Sequence, residues 1–198
     1  MKIVVTGGTS GLGEYLCEHL PGSQSFSRAN GFDITKDSGR ARIAEESLSC
    51  DIIINNAFDG PAHESYADLG QVKLLKEIFN LWNARSKIGY IINISSIASL
   101  FPIREWNSFQ TYRFSKLALD EASFFCTRAF LNDQVPFRTS LIRQGRMDTV
   151  LARSRANWTG NGISLKYLTS SIQHLTSAPQ NTCPYNIDLD VNLNWQGT

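Results

Sequence analysis

The sequence predicts an α/β fold in which helices cover both faces of a parallel sheet, a doubly wound arrangement. Short apolar runs of strand length alternate along the chain with segments whose apolar residues recur at helical spacing. The run Asp51–Asn55 is apolar without alternation, which is typical of a strand buried on both faces. The 198 residues contain no internal repeat and no linker, so we expect a single domain over residues 1–198.

Each element follows from its local pattern. Leu12, Leu16 and Leu20 form a helical stripe that ends at Pro21-Gly22. Further helices are predicted where apolar residues keep a similar spacing, over 41–48, 69–82, 111–131 and 165–175. Strands are predicted at the apolar or β-branched runs 3–5, 24–27, 51–55, 88–94, 135–142 and 185–191. The stretch 148–162 has the least pattern and is predicted to be a mobile substrate loop before the last helix and strand.

Composition excludes several classes of protein. The formal net charge is +1, without the basic excess of a protein that binds nucleic acid or an anionic membrane. No apolar run is long enough to span a bilayer, and no secretory signal opens the chain. The four cysteines are scattered and the three histidines are isolated, so neither a disulfide framework nor a metal site is expected. A cytoplasmic protein with reduced thiols is the simplest expectation.

A glycine-rich turn follows the first predicted strand and opens the first helix. Residues 6–13 read Thr-Gly-Gly-Thr-Ser-Gly-Leu-Gly. Gly7 allows a tight turn, Gly11 lets the backbone approach a pyrophosphate, and Gly13 lets the helix pack close to the strand. The helix N-terminus adds free N–H groups and a partial positive charge. An ordinary strand-to-helix turn is the alternative, but this placement favours a nucleotide site, and no lysine completes a Walker phosphate loop.

The spacing Thr-Gly-x-x-x-Gly-x-Gly resembles that of the short-chain dehydrogenase/reductase family, in its single-domain branch. The resemblance implies a Rossmann-like domain, here shortened, whose turn binds NAD or NADP. The turn residues that it assigns to the cofactor are Thr6, Gly7, Thr9, Ser10, Gly11, Leu12 and Gly13.

A second motif ends the strand at 51–55. The family has Asn-Asn-Ala-Gly there, beside the adenosine of the cofactor, and this chain has Asn55, Asn56 and Ala57 followed by Phe58. The resemblance assigns the first three residues to the cofactor, while Phe58 departs from the glycine of the pattern. A polar turn at a strand end is the alternative for the two asparagines alone.

A third motif follows the strand at 135–142. The family has Pro-Gly-x-Val-x-Thr, and the chain has Gln-Gly-Arg-Met-Asp-Thr over residues 144–149. Gly145 and Thr149 match, whereas Met147 replaces the valine, whose backbone faces the nicotinamide carboxamide in the family. By resemblance these three residues complete the cofactor site, and a plain loop is the alternative.

Three side chains are predicted to be catalytic. Ser96 ends a predicted strand, and Tyr112 and Lys116 follow at the spacing Tyr-x-x-x-Lys, which places both on one helical face. By resemblance they are the catalytic Ser-Tyr-Lys of the family, and Tyr112 and Lys116 also contact the cofactor. A free tyrosine has a pKa of about 10, and a neighbouring ammonium favours the phenolate and lowers that pKa. A helix-surface pair is the alternative for Tyr112 and Lys116 alone.

The end of the second strand bears on the choice of cofactor. An acidic residue there would bond the ribose 2′-hydroxyl of NAD, and an arginine would accommodate the 2′-phosphate of NADP. The chain has Arg28 and no acid before Asp33, which favours NADP(H), with NAD(H) as the alternative. A solvated arginine in a loop is the alternative for Arg28 alone. Asp33 and Ile34 resemble the family's Asp-Val beside the adenine.

Two departures from the family pattern are expected to matter. Many members have an asparagine on the helix before the serine strand that supports a proton relay. Aligning Gly70 with the family's Asn-x-x-Gly puts Ala67 in that place. Asn80 is an alternative that lies too near Ser96 in the sequence. We therefore expect the relay residue to be absent or replaced. The region between Ser27 and Asp33 is also too short for the helix that usually follows the second strand.

The resulting hypothesis is an NADP(H)-dependent oxidoreductase that interconverts a small carbonyl compound and an alcohol by hydride transfer, with Tyr112 as acid and base. By analogy with the family, the phenylalanine-rich helix 111–131 is expected to join subunits in a homodimer or homotetramer. One alternative is a non-catalytic nucleotide-binding regulator or scaffold. Another is a sugar-nucleotide epimerase or dehydratase, which the few residues after Thr149 disfavour.

Overall fold

A computed structural model describes residues 1–58, 69–101, 108–149, 153, 162–179, 182–183 and 186–189, with the side chains of 108 and 109 left out. Within these residues the chain forms one parallel sheet of six strands in the order β2-β1-β3-β4-β5-β6. The strands are β1 Ile3–Thr6, β2 Ser23–Phe26, β3 Ile52–Asn55, β4 Gly89–Ser96, β5 Phe137–Gln144 and β6 Asn186–Leu189. The predicted Rossmann-like α/β class is confirmed.

Helices cover both faces of the sheet because each strand buries alternate side chains on opposite sides. Those among the described residues are α1 Gly11–His19, α2 Asp37–Ser47, α3 Gly70–Ala84, α4 Ser108–Leu131 and α5 Leu165–Ser177. Val4 and Ile53 pack in a core with residues of α2, α3 and α4, such as Trp82. Ile3 and Ile54 pack in a second core with residues of α1 and α5. Of the described helices, none is long and apolar enough to cross a membrane.

Several element boundaries differ from the sequence prediction. Helix α2 begins at Asp37, four residues before the predicted start, because its first turn is polar and shows no apolar spacing. That turn is held by buried Arg40, which donates to Ile34 O at 2.8 Å and to Glu77 Oε1 at 2.9 Å. The short region after β2 forms only a single 3₁₀ turn over Arg28–Asn30, so no full helix follows β2 before Asp33, as predicted.

Some expectations concern parts of the chain outside the described residues. These are Ala67, Tyr185, Val191 and nearly all of the predicted loop 148–162, of which only 148, 149, 153 and 162 are described. They remain predictions.

The order of the strands predicts a ligand-binding site at the carboxyl edge of the sheet. The chain passes from β1 outward to β2 and then crosses back through α2 to β3, on the other side of β1. The connections on either side of β1 therefore separate at its carboxyl end, which is where doubly wound sheets bind their ligands. Thr6, Asn55 and Ser96 all end strands at this edge.

Candidate active site

The glycine turn joins the carboxyl end of β1 to α1 with little room for side chains on its inner side. Gly7 adopts φ +70°, and a Cβ there would lie 2.9 Å from Ala57 Cα, so a larger residue would push the loop after β3 away. A Cβ on Gly13 would overlap the carbonyl of Gly7. Gly11, at φ +55°, faces open space instead.

The outer side of the turn fits an anionic ligand. Ser10 caps α1 without a side-chain capping hydrogen bond, so its hydroxyl does not satisfy the first N–H groups of the helix. Together with the open space at Gly11, these groups fit a phosphate. Thr9 and Ser10 are exposed beside them, and Leu12 is buried against the second core.

Thr6 ties the turn to the loop after β3. Its Oγ1 accepts hydrogen bonds from the backbone N–H groups of Asn56 and Ala57, each at 2.9 Å, and the Asn56 side chain donates to Thr6 O at 3.0 Å. Thr6 and Asn55 are fully buried. These residues therefore shape the crevice between β1 and β3, and Asn56 and Ala57 are the partly exposed members of the group.

The residues predicted to select the cofactor lie beyond β2 at the same edge. Arg28 is exposed at the start of the 3₁₀ turn. Although burial alone would raise the pKa of Asp33, hydrogen bonds from Thr35 and the charges of Arg28 and Lys36 lower it. Ile34 is buried in the first core. It also lines a small open cavity with Phe58, Leu69, Gly70, Gln71, Val72 and Ser115.

Tyr112 and Lys116 lie one turn apart on α4, with Lys116 Nζ 5.7 Å from the centre of the Tyr112 ring. Tyr112 is half-buried, whereas Lys116 is only 3% exposed. Lys116 Nζ donates to Ile94 O at 3.1 Å and to Gln71 Oε1 at 2.7 Å. Burial lowers the pKa of Lys116 to about 7, an effect that the negative charge of Asp120 opposes. The ammonium is thus held inside the protein beside the phenol ring.

Ser96 ends β4 at the same edge of the sheet. It is 7% exposed, and its Oγ accepts a hydrogen bond from the Ala98 N–H at 3.2 Å, which caps the 3₁₀ turn Ile97–Leu100. A serine hydroxyl that accepts in this way still has its own proton to donate. The geometry is therefore compatible with donation to a substrate oxygen.

Phe58 covers the Tyr112–Lys116 pair. Its ring meets the Tyr112 ring edge-on, with centres 5.1 Å apart, and Lys116 Nζ lies 4.9 Å from the centre of the Phe58 ring. Aromatic faces attract a cation at this distance. The residue that departs from the glycine of the family pattern thus lies directly on the predicted catalytic pair.

Gly145, Met147 and Thr149 follow β5 at the same edge. The Gly145 N–H donates to Leu189 O at 2.7 Å, and Met147 is buried and forms a parallel bridge with Ile163. The Thr149 N–H donates to Met147 O at 3.0 Å. The segment is thus fastened to the end of the sheet beyond β5.

The structure adds two residues that the sequence analysis missed, Gln71 and Asp120. Asp120 is 4% exposed and accepts hydrogen bonds from Ser95 Oγ at 2.5 Å, Ser99 Oγ at 2.6 Å and Arg143 Nε at 2.6 Å. Its position four residues after Lys116 was the available signal, because residues at that spacing share a helical face. The only signal for Gln71 was its place at helical spacing from the apolar residues Leu74 and Leu75, on the buried face of an amphipathic helix.

The free energy of unfolding is expected to rise between pH 7 and 8 more steeply than in a Lys116→Met variant. In that range Lys116 of the unfolded chain keeps its proton, because its ordinary pKa is 10.5. Lys116 of the folded chain loses its proton near pH 7, so raising the pH favours the folded state. The limiting slope for one group is about 1.4 kcal/mol per pH unit. Urea unfolding of both proteins at about pH 6, 7 and 8 measures the difference.

The comparison with Lys116→Met removes the contribution of the other titrating groups. Burial raises the pKa of the Cys50 thiol to about 11 and that of Cys126 to about 12, which lowers stability above about pH 8 in both proteins alike. Parallel pH dependences in the two proteins would contradict the depressed pKa of Lys116.

Solved dehydrogenases and reductases share this fold. The 3-alpha-hydroxysteroid dehydrogenase of Pseudomonas sp. B-0831, complexed with NADH, matches with a TM-score of 0.71 at 16% identity, over 95% of each chain. The alcohol dehydrogenase of the archaeon Thermococcus sibiricus, complexed with 5-hydroxy-NADP, matches with a TM-score of 0.69 at 18% identity, over 96% of each chain. The 3-ketoacyl-(acyl-carrier-protein) reductase of Brucella melitensis, complexed with NADH, matches with a TM-score of 0.70 at 17% identity, over 96% of each chain.

At these identities the likeness establishes the fold. No model of a protein family matches the sequence, and no curated protein matches it. The class defined by fold and site together is therefore a doubly wound α/β protein with a glycine turn and a Tyr–Lys pair at the carboxyl edge of its sheet.

Proposed function

We propose that the chain is a short-chain dehydrogenase/reductase, an NADP(H)-dependent oxidoreductase that interconverts a small carbonyl compound and an alcohol. The observation that carries the proposal is that Tyr112 and Lys116 lie at the same carboxyl edge of the sheet as the glycine turn of residues 6–13. The three neighbours described above are dehydrogenases and a reductase complexed with NADH or an NADP derivative. That agreement supports the proposal.

In the proposed arrangement the glycine turn and the α1 N-terminus hold the pyrophosphate, Arg28 receives the 2′-phosphate, and Asn56 and Ala57 border the adenosine. Asp33 and Ile34 would face the adenine, and Gly145, Met147 and Thr149 would face the carboxamide. When bound, the nicotinamide would supply or accept the hydride. The remaining chemistry is the transfer of one proton to or from the substrate oxygen, which falls to the protein.

Tyr112 is the proposed acid and base. Its hydroxyl gives a proton to the carbonyl oxygen during reduction and takes one from the alcohol during oxidation. The Lys116 ammonium beside the ring favours the phenolate, which brings the pKa of Tyr112 closer to neutrality. Ser96 donates a hydrogen bond to the same oxygen and holds it in place for the reaction.

A second candidate function is a nucleotide-binding regulator or scaffold without turnover. Phe58 favours it, because the ring lies against both Tyr112 and Lys116. Nucleotide binding without hydride transfer on a broad panel of carbonyl compounds would favour this candidate over the oxidoreductase.

Self-association through α4 is part of the proposal. Phe124 and Phe125 are 41% and 63% exposed on this helix, and Leu117 and Leu131 add further exposed apolar surface. Phe130, in contrast, packs against the first core. An exposed apolar surface of this kind is typical of an interface between subunits.

Titration with NADPH and NADH, followed by nicotinamide fluorescence, tests the cofactor assignment. Wild-type protein is expected to bind NADPH more tightly than NADH. Arg28→Ala is expected to weaken NADPH binding about tenfold and to leave NADH binding unchanged, because only NADPH carries the phosphate that Arg28 would bind.

Arg85→Ala is the matched control. Arg85 is an exposed arginine at the C-terminal end of α3, near the amino ends of the strands and away from the proposed site. It should leave both affinities unchanged. Equal weakening of NADPH by the two variants would contradict the role of Arg28, and binding of neither nucleotide by the wild-type protein would contradict the proposed function.

A further inference from the structure

Gln71 connects its own helix, α3, to three other elements behind the catalytic pair. It lies in the first turn of α3 and is 6% exposed. Its Oε1 accepts from Lys116 Nζ at 2.7 Å, and its Nε2 donates to Asn55 O at 2.9 Å and more weakly to Ile94 O at 3.4 Å. Its backbone carbonyl accepts from Asn55 Nδ2 at 3.1 Å. The side chain thus joins α3 to the ends of β3 and β4 and to α4.

The partners of Gln71 specify how its amide is turned. Two backbone carbonyls, which only accept, face the Nε2 side, and an ammonium, which only donates, faces the Oε1 side. Rotating the amide by half a turn would place donor against donor and acceptor against acceptor. The oxygen is therefore held toward Lys116 by hydrogen bonds on the opposite side of the same amide.

A neutral acceptor has a particular effect on a buried ammonium. Burial disfavours the charged form of Lys116, and a hydrogen bond accepted from that form opposes the effect. A carboxylate at this place would also cancel the positive charge, whereas an amide oxygen leaves it uncancelled. Asp120, the nearby carboxylate, is bound by Ser95, Ser99 and Arg143.

We infer that Gln71 is the positioning residue of this site, because its Oε1 holds the Lys116 ammonium beside Tyr112 and keeps its positive charge available to the phenol. The effect of Gln71 on catalysis through Lys116 and Tyr112 rests on the proposed function. The coupling between Gln71 and Lys116 can be measured without any turnover.

Two variants of nearly equal length isolate the acceptor. Gln71→Met and Gln71→Glu both disturb the hydrogen bonds to Asn55 O and Ile94 O, but only glutamate keeps an oxygen toward Lys116. The pKa of Lys116 is followed by NMR of protein labelled with ¹³C and ¹⁵N lysine, and its signal is assigned by its loss in Lys116→Met. Methionine is expected to lower this pKa and glutamate to raise it, each by about one pH unit relative to wild type.

Gln110→Met is the control. Gln110 is also buried, and its Oε1 also accepts from a cation, Arg113 Nη1, at 2.8 Å. This variant removes a comparable hydrogen bond elsewhere on α4 and should leave the pKa of Lys116 where it is in wild type. Equal pKa values of Lys116 in Gln71→Met and Gln71→Glu would overturn the inference, and so would a shift of the same size in Gln110→Met.

Activity provides the second readout. With a substrate found for the wild-type protein, Gln71→Met is expected to lower kcat about tenfold or more, with little change in KM, and to move the alkaline limb of the pH profile to lower pH. Gln71→Glu should move that limb to higher pH. Wild-type kcat and pH profile in Gln71→Met would overturn the positioning role. The wild-type protein could turn over no carbonyl compound while the pKa of Lys116 still differs between Gln71→Met and Gln71→Glu. That result would reject the proposed function and would still support the hydrogen bond from Lys116 to Gln71.

Discussion

Replacing Tyr112 with phenylalanine is expected to lower kcat by about a thousandfold, because general acid–base groups contribute about 10²- to 10⁴-fold to such reactions. The affinity for NADPH is expected to stay within about twofold of wild type, since the variant loses one hydroxyl and keeps the ring. The edge contact with Phe58, at 5.1 Å between ring centres, should also remain. Steady-state kinetics and nucleotide titration on the same preparation check both statements.

Tyr15→Phe is the matched control for this loss. Tyr15 stacks on His19 within α1, with ring centres 3.8 Å apart, and is outside the proposed proton-transfer site. It should keep near wild-type activity. A Tyr112→Phe enzyme with more than about a tenth of wild-type kcat would remove Tyr112 from the mechanism, whereas joint loss of turnover and nucleotide binding would point to a structural defect instead.

Replacing Asp120 with alanine is expected to lower the free energy of unfolding by about 3 kcal/mol or more, the usual cost of removing one partner from a buried ion pair. The side chains of Asp120 and Arg143 are 5% and 13% exposed and are joined at 2.6 Å. The change would also leave Ser95 and Ser99 without their buried acceptor. Urea unfolding at neutral pH measures the loss.

Asp188→Ala provides the control, because among the described residues it removes a second carboxylate that is paired with Arg143. Asp188 is 47% exposed and lies 3.4 Å from Arg143 Nη1, so its loss is expected to lower the free energy of unfolding by less than about 1 kcal/mol. Similar losses in the free energy of unfolding of the two variants would show that the buried cluster around Asp120 stabilises the fold no more than the exposed pair does. That result would contradict the structural role assigned to Asp120.

Much of the fold could be predicted because its signals are local. The apolar run of β3 and the leucine stripe of α1 indicate their elements without any distant contact. The start of α2 could not be predicted in this way. Its first turn is held by Arg40, whose partners Ile34 and Glu77 lie on other segments. A polar turn stabilised by distant residues has no periodic signal of its own.

The candidate site likewise contains residues that the sequence predicted and contacts that only the structure shows. The glycine turn, Ser96, Tyr112 and Lys116 were predicted from residue type and spacing, supported by the family resemblance, and the structure brings the four to one edge of the sheet. Their roles remain predictions. Gln71 and the contact of Phe58 with Tyr112 were not predictable from spacing, because they depend on how α3 and the loop after β3 pack against α4.

The sequence by itself therefore determined the fold class, the glycine turn and the Tyr–Lys spacing, because each is encoded within one or two turns of chain. Only the tertiary structure decided the environment of Lys116. Its burial, its bond to Gln71 and the charge of Asp120 come from residues up to 45 positions away along the chain. The charge of a buried ammonium depends on its distance from solvent, acceptors and other charges in space, and these distances exist only once the helices are packed on the sheet.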